Sequence, residues 1–432
     1  MSISLLLTRE IFAMAGTNNY FKKRRVAVTG LGVISPIGNG KEAFWQSLVS
    51  GRCGIAPVSH FDVSTYPCKI AAEVKEFDLN GFFSPKGARR VSRGTQFAVA
   101  STKGAFEDSG LDLTREDPYK IGLVYGTALG PMDIYERFGA TFYERGLKRV
   151  NPFFLGMMNH NAMIGALADY FNIRGYNTAI SAGCSSGNVA LANAYHLVVL
   201  GGADVAVTGG VDTPIYPLTF GLYSASQAMT SRNGDPQKAM CPYDRRRSGF
   251  VLGEGAGTLI LEEMEHALSR RARIYAEIVS CALTNDADDS TVFSPEIRDM
   301  VVAFQNALLQ APLKPEEVDY ICGHAHSSMV LDRKETQVIK KVFGEHAYSL
   351  AISTIKAMVG HSMAGGTAMQ SIAACLALKE GILPPTINYE ESDPECDLDY
   401  VPNTARRKKI KTALVNSFGL GGTNVVIAFR RF

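Results

Sequence analysis

The most reactive feature of the chain is Cys184, in Ile180-Ser-Ala-Gly-Cys-Ser-Ser-Gly-Asn-Val-Ala-Leu-Ala-Asn-Ala194, where a short β-branched run gives way to small residues and then to an Ala-rich stretch. The pattern predicts a strand, a tight turn and a helix. A cysteine on that turn stands at the positive end of the helix dipole, where a thiolate is stabilised and free backbone N–H groups can receive a developing oxyanion. A small buried cysteine beside a glycine turn fits the same residues, and the motif alone leaves both readings open. Three more segments carry polar chemistry. Tyr320-Ile-Cys-Gly-His-Ala-His-Ser-Ser328 puts His324 and His326 directly after a strand, with Asp332 and Glu335 at a helix start. Lys356-Ala-Met-Val-Gly-His361 spaces a lysine and a histidine across a glycine turn. Asn416-Ser-Phe-Gly-Leu-Gly-Gly-Thr-Asn424 reads as a glycine-rich loop before the last strand, suited to presenting backbone N–H groups to a ligand. One lone histidine is usually structural; two histidines, a lysine and a cysteine on loops that follow strands point to a catalytic set.

Alternating strand-like runs and helical stretches must position these residues. Val26 to Gly30, Ile121 to Gly126 and Asp204 to Gly210 are each followed by helix-forming sequence, which predicts an α/β fold. The alternation restarts near Ile274 to Ser280, and the second half echoes the first. Strand 178–181, the Cys184 turn and an Ala-rich helix correspond to strand 350–353, segment 356–366 and a helix around 368–378. A site at the carboxyl ends of the central strands follows.

Composition excludes several classes. The chain has 432 residues, 46% hydrophobic and 20% charged, with a net charge of +2, which argues against a nucleic-acid binder. Basic runs at 22–25, 245–247, 270–273 and 406–409 read as solvated surface. Eight cysteines with no C-x-x-C pair indicate neither a zinc site nor a disulfide framework and place the chain in a reducing compartment, the cytoplasm. No stretch approaches the roughly 18 to 20 apolar residues of a membrane span. Residues 1–24 read as a flexible N-terminal extension; Ser4-Leu-Leu-Leu7, followed at once by Arg9 and Glu10, makes a poor signal peptide, and Met14 is an alternative start.

Taken together, Val28-Thr-Gly-Leu-Gly-Val-Ile-Ser-Pro-Ile-Gly38, Gly183-Cys-Ser-Ser-Gly187, Pro242-Tyr-Asp with Gly249-Phe-Val-Leu-Gly-Glu-Gly255, the 356–361 segment and the 416–424 segment resemble the β-ketoacyl-acyl-carrier-protein synthases, in order and from about residue 25 to the last. The resemblance implies a thiolase-type five-layered α/β/α/β/α sandwich built from two duplicated halves, here 25–270 and 271–432, and a homodimer or a heterodimer with a related chain-length subunit. It implies decarboxylative condensation of an acyl group on Cys184 with a malonyl unit on an acyl carrier protein, with no cofactor and no metal. His324 and His361 match the pair that binds the malonyl thioester, Lys356 the lysine that supports them and Glu335 its carboxylate partner; the backbone of Cys184 and Leu420 matches the oxyanion hole. His326, Ser328, Phe418, Leu420 and Tyr135 fall on substrate-facing positions, a bulky Tyr135 favouring shorter chains. Lys86, Arg89, Arg90, Arg93 and Arg232 fall where the family docks its acidic carrier.

The chain departs from that pattern at three positions. His326 replaces a threonine, Leu420 a gating phenylalanine and Gln370 a buried glutamate. A glycine-rich loop without a second cysteine separates it from degradative thiolases, and His361 separates it from initiation-type enzymes, which have asparagine there. Ile355 to Ser362, Asp332 to Thr336 and Asp393 to Pro402 resemble type II polyketide ketosynthases, whereas the Gly-Gly-Thr-Asn tail resembles the fatty-acid branch. Two alternatives stand beside elongation: a subunit active only beside a chain-length partner, and a carrier-dependent decarboxylase.

Overall fold

The computed structural model describes residues 24–78, 81–288 and 293–432, so the proposed N-terminal extension lies almost wholly outside the described residues. The first half contributes β1 (Val26–Ser35), β2 (Ile121–Gly126), β3 (Asn177–Ile180), β4 (Val205–Asp212) and β5 (Gly255–Glu263). The second contributes β6 (Ala276–Asn285), β7 (Tyr320–Cys322), β8 (Ala351–Ser353), β9 (Thr412–Gly419) and β10 (Thr423–Arg430). The strands run in the order β1-β5-β4-β2-β3 and β6-β10-β9-β7-β8, the same topology twice. Pairing direction repeats as well: the three strands β4, β2 and β3 are mutually parallel, as are β9, β7 and β8, while the hairpin-like pairs beside them are antiparallel. The halves join where β1 pairs antiparallel with β6, Val26 opposite Ile278. The duplication read from the sequence is therefore present at the level of every core strand.

Helices cover both faces of each sheet. On one outside lie α1 (Arg93–Ser109) and α3 (Asn161–Phe171), on the other α5 (Arg298–Gln310) and α6 (Leu331–Phe343); between the sheets pack α4 (Ser186–Val199) and α7 (Met363–Glu380). A further helix, α2 (Met132–Arg145), stands off the first half. The result is five layers. The sequences of the central elements follow from their position: residues 363–378 of α7 are all buried, and a helix covered on every side carries apolar or small residues all round instead of an amphipathic stripe. β1 and β4 are buried along their whole length, hence sequences dominated by apolar residues and glycine with few polar interruptions.

Two expectations change. The 416–424 segment is a hairpin, with Asn416 to Gly419 finishing β9 and only Leu420-Gly421-Gly422 forming the turn; Gly421 and Gly422 take φ of 91° and 81°, which suits glycine. The basic runs are largely structural. Arg24 pairs with Asp204, Arg25 with Glu277, Arg246 with Asp244 and Glu390, Arg247 with Asp393, Arg270 with Glu262 and Arg406 with Asp399. Each joins segments that the sequence alone could not bring together or braces a local turn.

Candidate active site

Cys184 sits on the turn between β3 and α4, as its small neighbours require. Gly183 has φ 56°, and a Cβ there would lie 2.7 Å from the Leu420 carbonyl oxygen, so only glycine lets the hairpin turn approach Cys184. Cys184 Sγ is 3.2 Å from His361 Nε2. His361 comes from the second half but is pinned by the first: its N–H donates to the Val251 carbonyl (2.8 Å) and its carbonyl accepts from Gly253 N–H (3.1 Å). Burial pushes the Cys184 thiol up to about 11, against the opposing pull of the Lys356 cation and the backbone N–H groups of Leu420 and Cys184. A helix dipole is worth less than about one pKa unit and burial several, so the helix end alone leaves a thiol, not the free thiolate that the turn predicts. Burial also holds the His361 imidazole neutral, well below its ordinary value, reinforced by His326 and Lys356. Sulfur and ring thus form a neutral S–H and imidazole pair, poised to ionise together.

The second histidine has a fixed tautomer. His324 Nδ1 lies 3.2 Å from Lys356 Nζ and 3.4 Å from the Phe418 N–H, and Lys356 also donates to the His324 carbonyl. An ammonium and an amide both donate, so Nδ1 accepts and the proton sits on Nε2, which is buried with no protein partner. An N–H is left aimed at whatever enters. Burial lowers Lys356 to about 8, with Glu335 and Cys184 opposing. Glu335 does not hydrogen-bond to Lys356. Its carboxylate accepts the N–H groups of His324 (2.6 Å) and Ala325 (2.9 Å), the Tyr243 hydroxyl (2.7 Å) and the Asn416 amide, which fixes the backbone that carries His324. Asp332, one helical turn earlier, accepts the N–H groups of Tyr243, His326, Ser327 and Ser328. The acidic pair at the start of α6 is a clamp for the histidine loop.

A model of the beta-ketoacyl synthase N-terminal domain matches residues 23–267, and one of the C-terminal domain matches residues 275–390. The chain belongs to the beta-ketoacyl synthase family. Over 411 residues it is 41% identical to a 3-oxoacyl-[acyl-carrier-protein] synthase 2 of Synechocystis sp., covering 95% of this chain and 99% of that one. Two solved structures share the fold: a type II polyketide ketosynthase in complex with its acyl-carrier protein and bound to a hexaketide (32% identity, TM-score 0.88), and the ishigamide ketosynthase/chain length factor (30%, TM-score 0.89). Each similarity covers 95% of this chain and 100% of the other.

For this beta-ketoacyl synthase, the other residues singled out from sequence fall in several places. Phe418 is buried against the His324 ring, 5.5 Å between centroids. His326 joins the site, its ring 5.0 Å from His361 and 5.2 Å from His324. Ser328 turns its hydroxyl to the N–H groups of Val330 and Leu331, capping α6. Tyr135, on α2, donates to the Met158 carbonyl. The Leu420 side chain is 48% exposed, and only its backbone reaches Cys184. Gln370 keeps hydrogen bonds to the Gly323 (2.5 Å) and Cys322 carbonyls. Of the docking candidates, Lys86, Arg89 and Arg90 are exposed. Arg93 is committed to a two-pronged ion pair with buried Glu254, and Arg232 turns inward to the Arg246 carbonyl.

Four contributors escape a reading of the sequence. Phe250 packs its ring 5.1 Å from His361 and 5.3 Å from His326, and Tyr223 lies beyond it. Tyr243, stacked 3.8 Å from Tyr400, supplies the hydroxyl to Glu335. Asp212, at the end of β4 and raised to about 6 by burial, accepts the N–H groups of Ala128, Leu129 and Ala364 and so ties loop 127–129 to the start of α7. Phe250 and Tyr243 lie in motifs that carry the family resemblance, but nothing local tells a ring that lines a site from one that fills a core.

Proposed function

We propose that this chain catalyses decarboxylative Claisen condensation: an acyl group held on Cys184 is extended by a malonyl unit on an acyl carrier protein to give a 3-oxoacyl-carrier protein, in fatty-acid or type II polyketide or polyene biosynthesis. The observation that carries the reading is the pairing of two neutral imidazoles with different duties, His361 against the Cys184 sulfur and His324, its ring 6.0 Å from that of His361, with a free Nε2–H. In the first half-reaction the Cys184 sulfur attacks the acyl thioester as His361 Nε2 takes its proton; the backbone N–H groups of Cys184 and Leu420 hold the oxyanion, and the departing carrier thiolate recovers the proton from His361. In the second, the malonyl thioester oxygen meets the Nε2–H of His324 and that of His361, whose ring proton moves from Nδ1 to Nε2 through solvent once the acylated sulfur has no proton to give. The bond to the carboxylate breaks, CO2 leaves, and the electron pair passes into an enolate on that oxygen. The enolate carbon attacks the acyl group, a C–C bond forms, and Cys184 leaves as a thiolate that is reprotonated from solvent. Neutral imidazoles suit this step because an imidazolium would protonate the enolate carbon before it attacks. Lys356 supports the second step by anchoring His324, and Glu335 by holding its backbone.

The domain boundary near 270 is part of this reading, supported by the repeated topology. So is carrier docking on the exposed cations Lys86, Arg89 and Arg90, which form a groove with Phe153, Phe154 and Met157 suited to an acidic partner. The catalytic need for a free thiol at Cys184 favours the cytoplasm; no described helix is long and apolar enough to cross a membrane. A partner subunit, either a second copy or a related chain-length subunit, is supported by an open sheet edge at β3 and by exposed apolar residues of α2 and the segment after it.

Intact mass of the protein and of Cys184→Ala after exposure to acyl-carrier substrates, followed by malonyl-carrier addition and product analysis, tests the proposal. Acyl mass confined to the cysteine-bearing protein and a 3-oxoacyl-carrier product are expected. Malonyl loss without chain growth would replace condensation by decarboxylation, and activity restored only by a related subunit would make the chain half of a heterodimer.

A further inference from the structure

His326 is the part of the site that the two half-reactions leave unused. Its main chain is held in place, with the N–H 3.2 Å from Asp332 and the next residue, Ser327, at φ 71° with its own N–H on the same carboxylate. Its ring is enclosed by three others, 5.0 Å from His361, 5.2 Å from His324 and 5.3 Å from Phe250. Only 4% of the residue is exposed, yet Nδ1 is buried with no protein partner. Buried polar nitrogens are ordinarily paired, and a ring needed only to fill space would be apolar. Beside His324 and His361, that leaves a ring nitrogen free to pair with whatever enters the site.

We propose that His326 is a third substrate-contacting imidazole, which donates a hydrogen bond to the carboxylate of the extender unit and selects malonyl thioesters over thioesters without that group. The assignment rests on the condensation reading above. His324 and His361 are occupied with the thioester oxygen, so the extender's remaining polar group is its carboxylate, and His326 is the free donor beside them. Burial keeps this ring neutral, at about 3, so it has one N–H to give and no proton to lose. A hydrogen bond to the carboxylate turns its C–C bond out of the thioester plane, the orientation in which the released electron pair passes into the carbonyl. CO2 leaves, the pair becomes the enolate, and His326 keeps its proton throughout.

The test uses full-length protein, malonyl-carrier as extender and an acyl group preloaded on Cys184. His326→Phe keeps a ring against Phe250 and His361 but has no donor; His326→Gln keeps a donor. For His326→Phe, KM for malonyl-carrier is expected to rise about tenfold or more, the scale of one hydrogen bond to a charged group, with a smaller change in kcat and a weaker preference for malonyl- over acetyl-carrier at the extender position. His326→Gln should recover most of that loss. An unchanged KM in His326→Phe overturns the proposal, and so does equal damage to extender use and to Cys184 acylation, which would mark a packing residue. Wild-type protein run alongside separates the two levels: no 3-oxoacyl product from wild type sinks the condensation reading and this one with it, whereas normal wild-type turnover with an unaffected variant sinks only the role of His326.

Discussion

Protonation at this site is set by burial, and Lys356 is the group where that has a measurable consequence near neutral pH. Its ammonium holds His324 by both Nδ1 and the carbonyl, and desolvation brings it down to about 8. The three histidines are held neutral, their values pushed below the ordinary 6.5, for the same reason. Condensation should therefore lack an acid limb from histidine near the ordinary value of 6.5 and fall as pH rises through about 8, where Lys356 loses the proton that fixes the His324 tautomer. Lys356→Met should lower kcat by about a hundredfold, the scale of losing an electrostatic group from a reaction site, and remove the alkaline limb; pH profiles of both proteins check this, and an unchanged limb in the variant would assign it elsewhere. Cys184, His324, Lys356 and His361 were legible in the sequence because each sits on the short segment that follows a strand. Tyr243 and Asp212 were not, since their work is done on residues dozens of positions away, Glu335 and Ala364.

Among elements, the strands and their repeat were legible because fully covered strands are mostly apolar, and α7 because a helix buried on all sides is built mostly of small and apolar residues. The ion pairs that lock elements together were not, because a run such as Arg270 to Arg273 looks the same whether solvated or paired. Glu262, at the end of β5, shows what such a pair does. Burial alone would raise its carboxyl, but Arg270, His266 and Thr29 hydrogen-bond to it and hold it at about 2. A carboxyl depressed from an ordinary value near 4.5 stabilises the fold above that pH by roughly 3 kcal/mol and loses it as pH falls towards 2. His266 is shifted the opposite way, raised by the hydrogen bond to Glu262, so its contribution is present below its ordinary value of 6.5 and disappears as pH rises past the raised one. Urea unfolding midpoints between pH 3 and 9 should fall at both ends. Glu262→Gln should cost roughly 3 to 5 kcal/mol at pH 6, since it leaves Arg270 without its charge partner, and should flatten both limbs; a variant as stable as wild type would show that the cluster is solvated in practice.

At the scale of the molecule, the exposed apolar surface is unevenly spread. α2 buries only Ile134, while Phe142, Tyr143, Leu147 and Leu155 are exposed along it and the segment that follows, and Tyr176 is exposed at the entry to β3. β3 is itself the open end of the strand order, its residues half-buried or exposed where every other parallel core strand is buried. An open strand edge and a group of exposed apolar side chains are surfaces that folded chains cover, and the near-neutral charge of +2 does not oppose a second copy. The strand also leads directly to the Cys184 turn, so a partner pairing with it would set the position of the nucleophile. Light scattering coupled to size exclusion should give twice the mass of one chain, or a one-to-one complex when a related subunit is co-expressed. Phe142→Asp with Leu155→Asp should weaken association by about 2 kcal/mol or more per hot-spot side chain and yield monomer at micromolar concentration. Because the Cys184 turn hangs on that edge, condensation should fall in step with the dimer fraction; a fully active monomer would mean that each chain completes its own site and that the apolar face serves another partner.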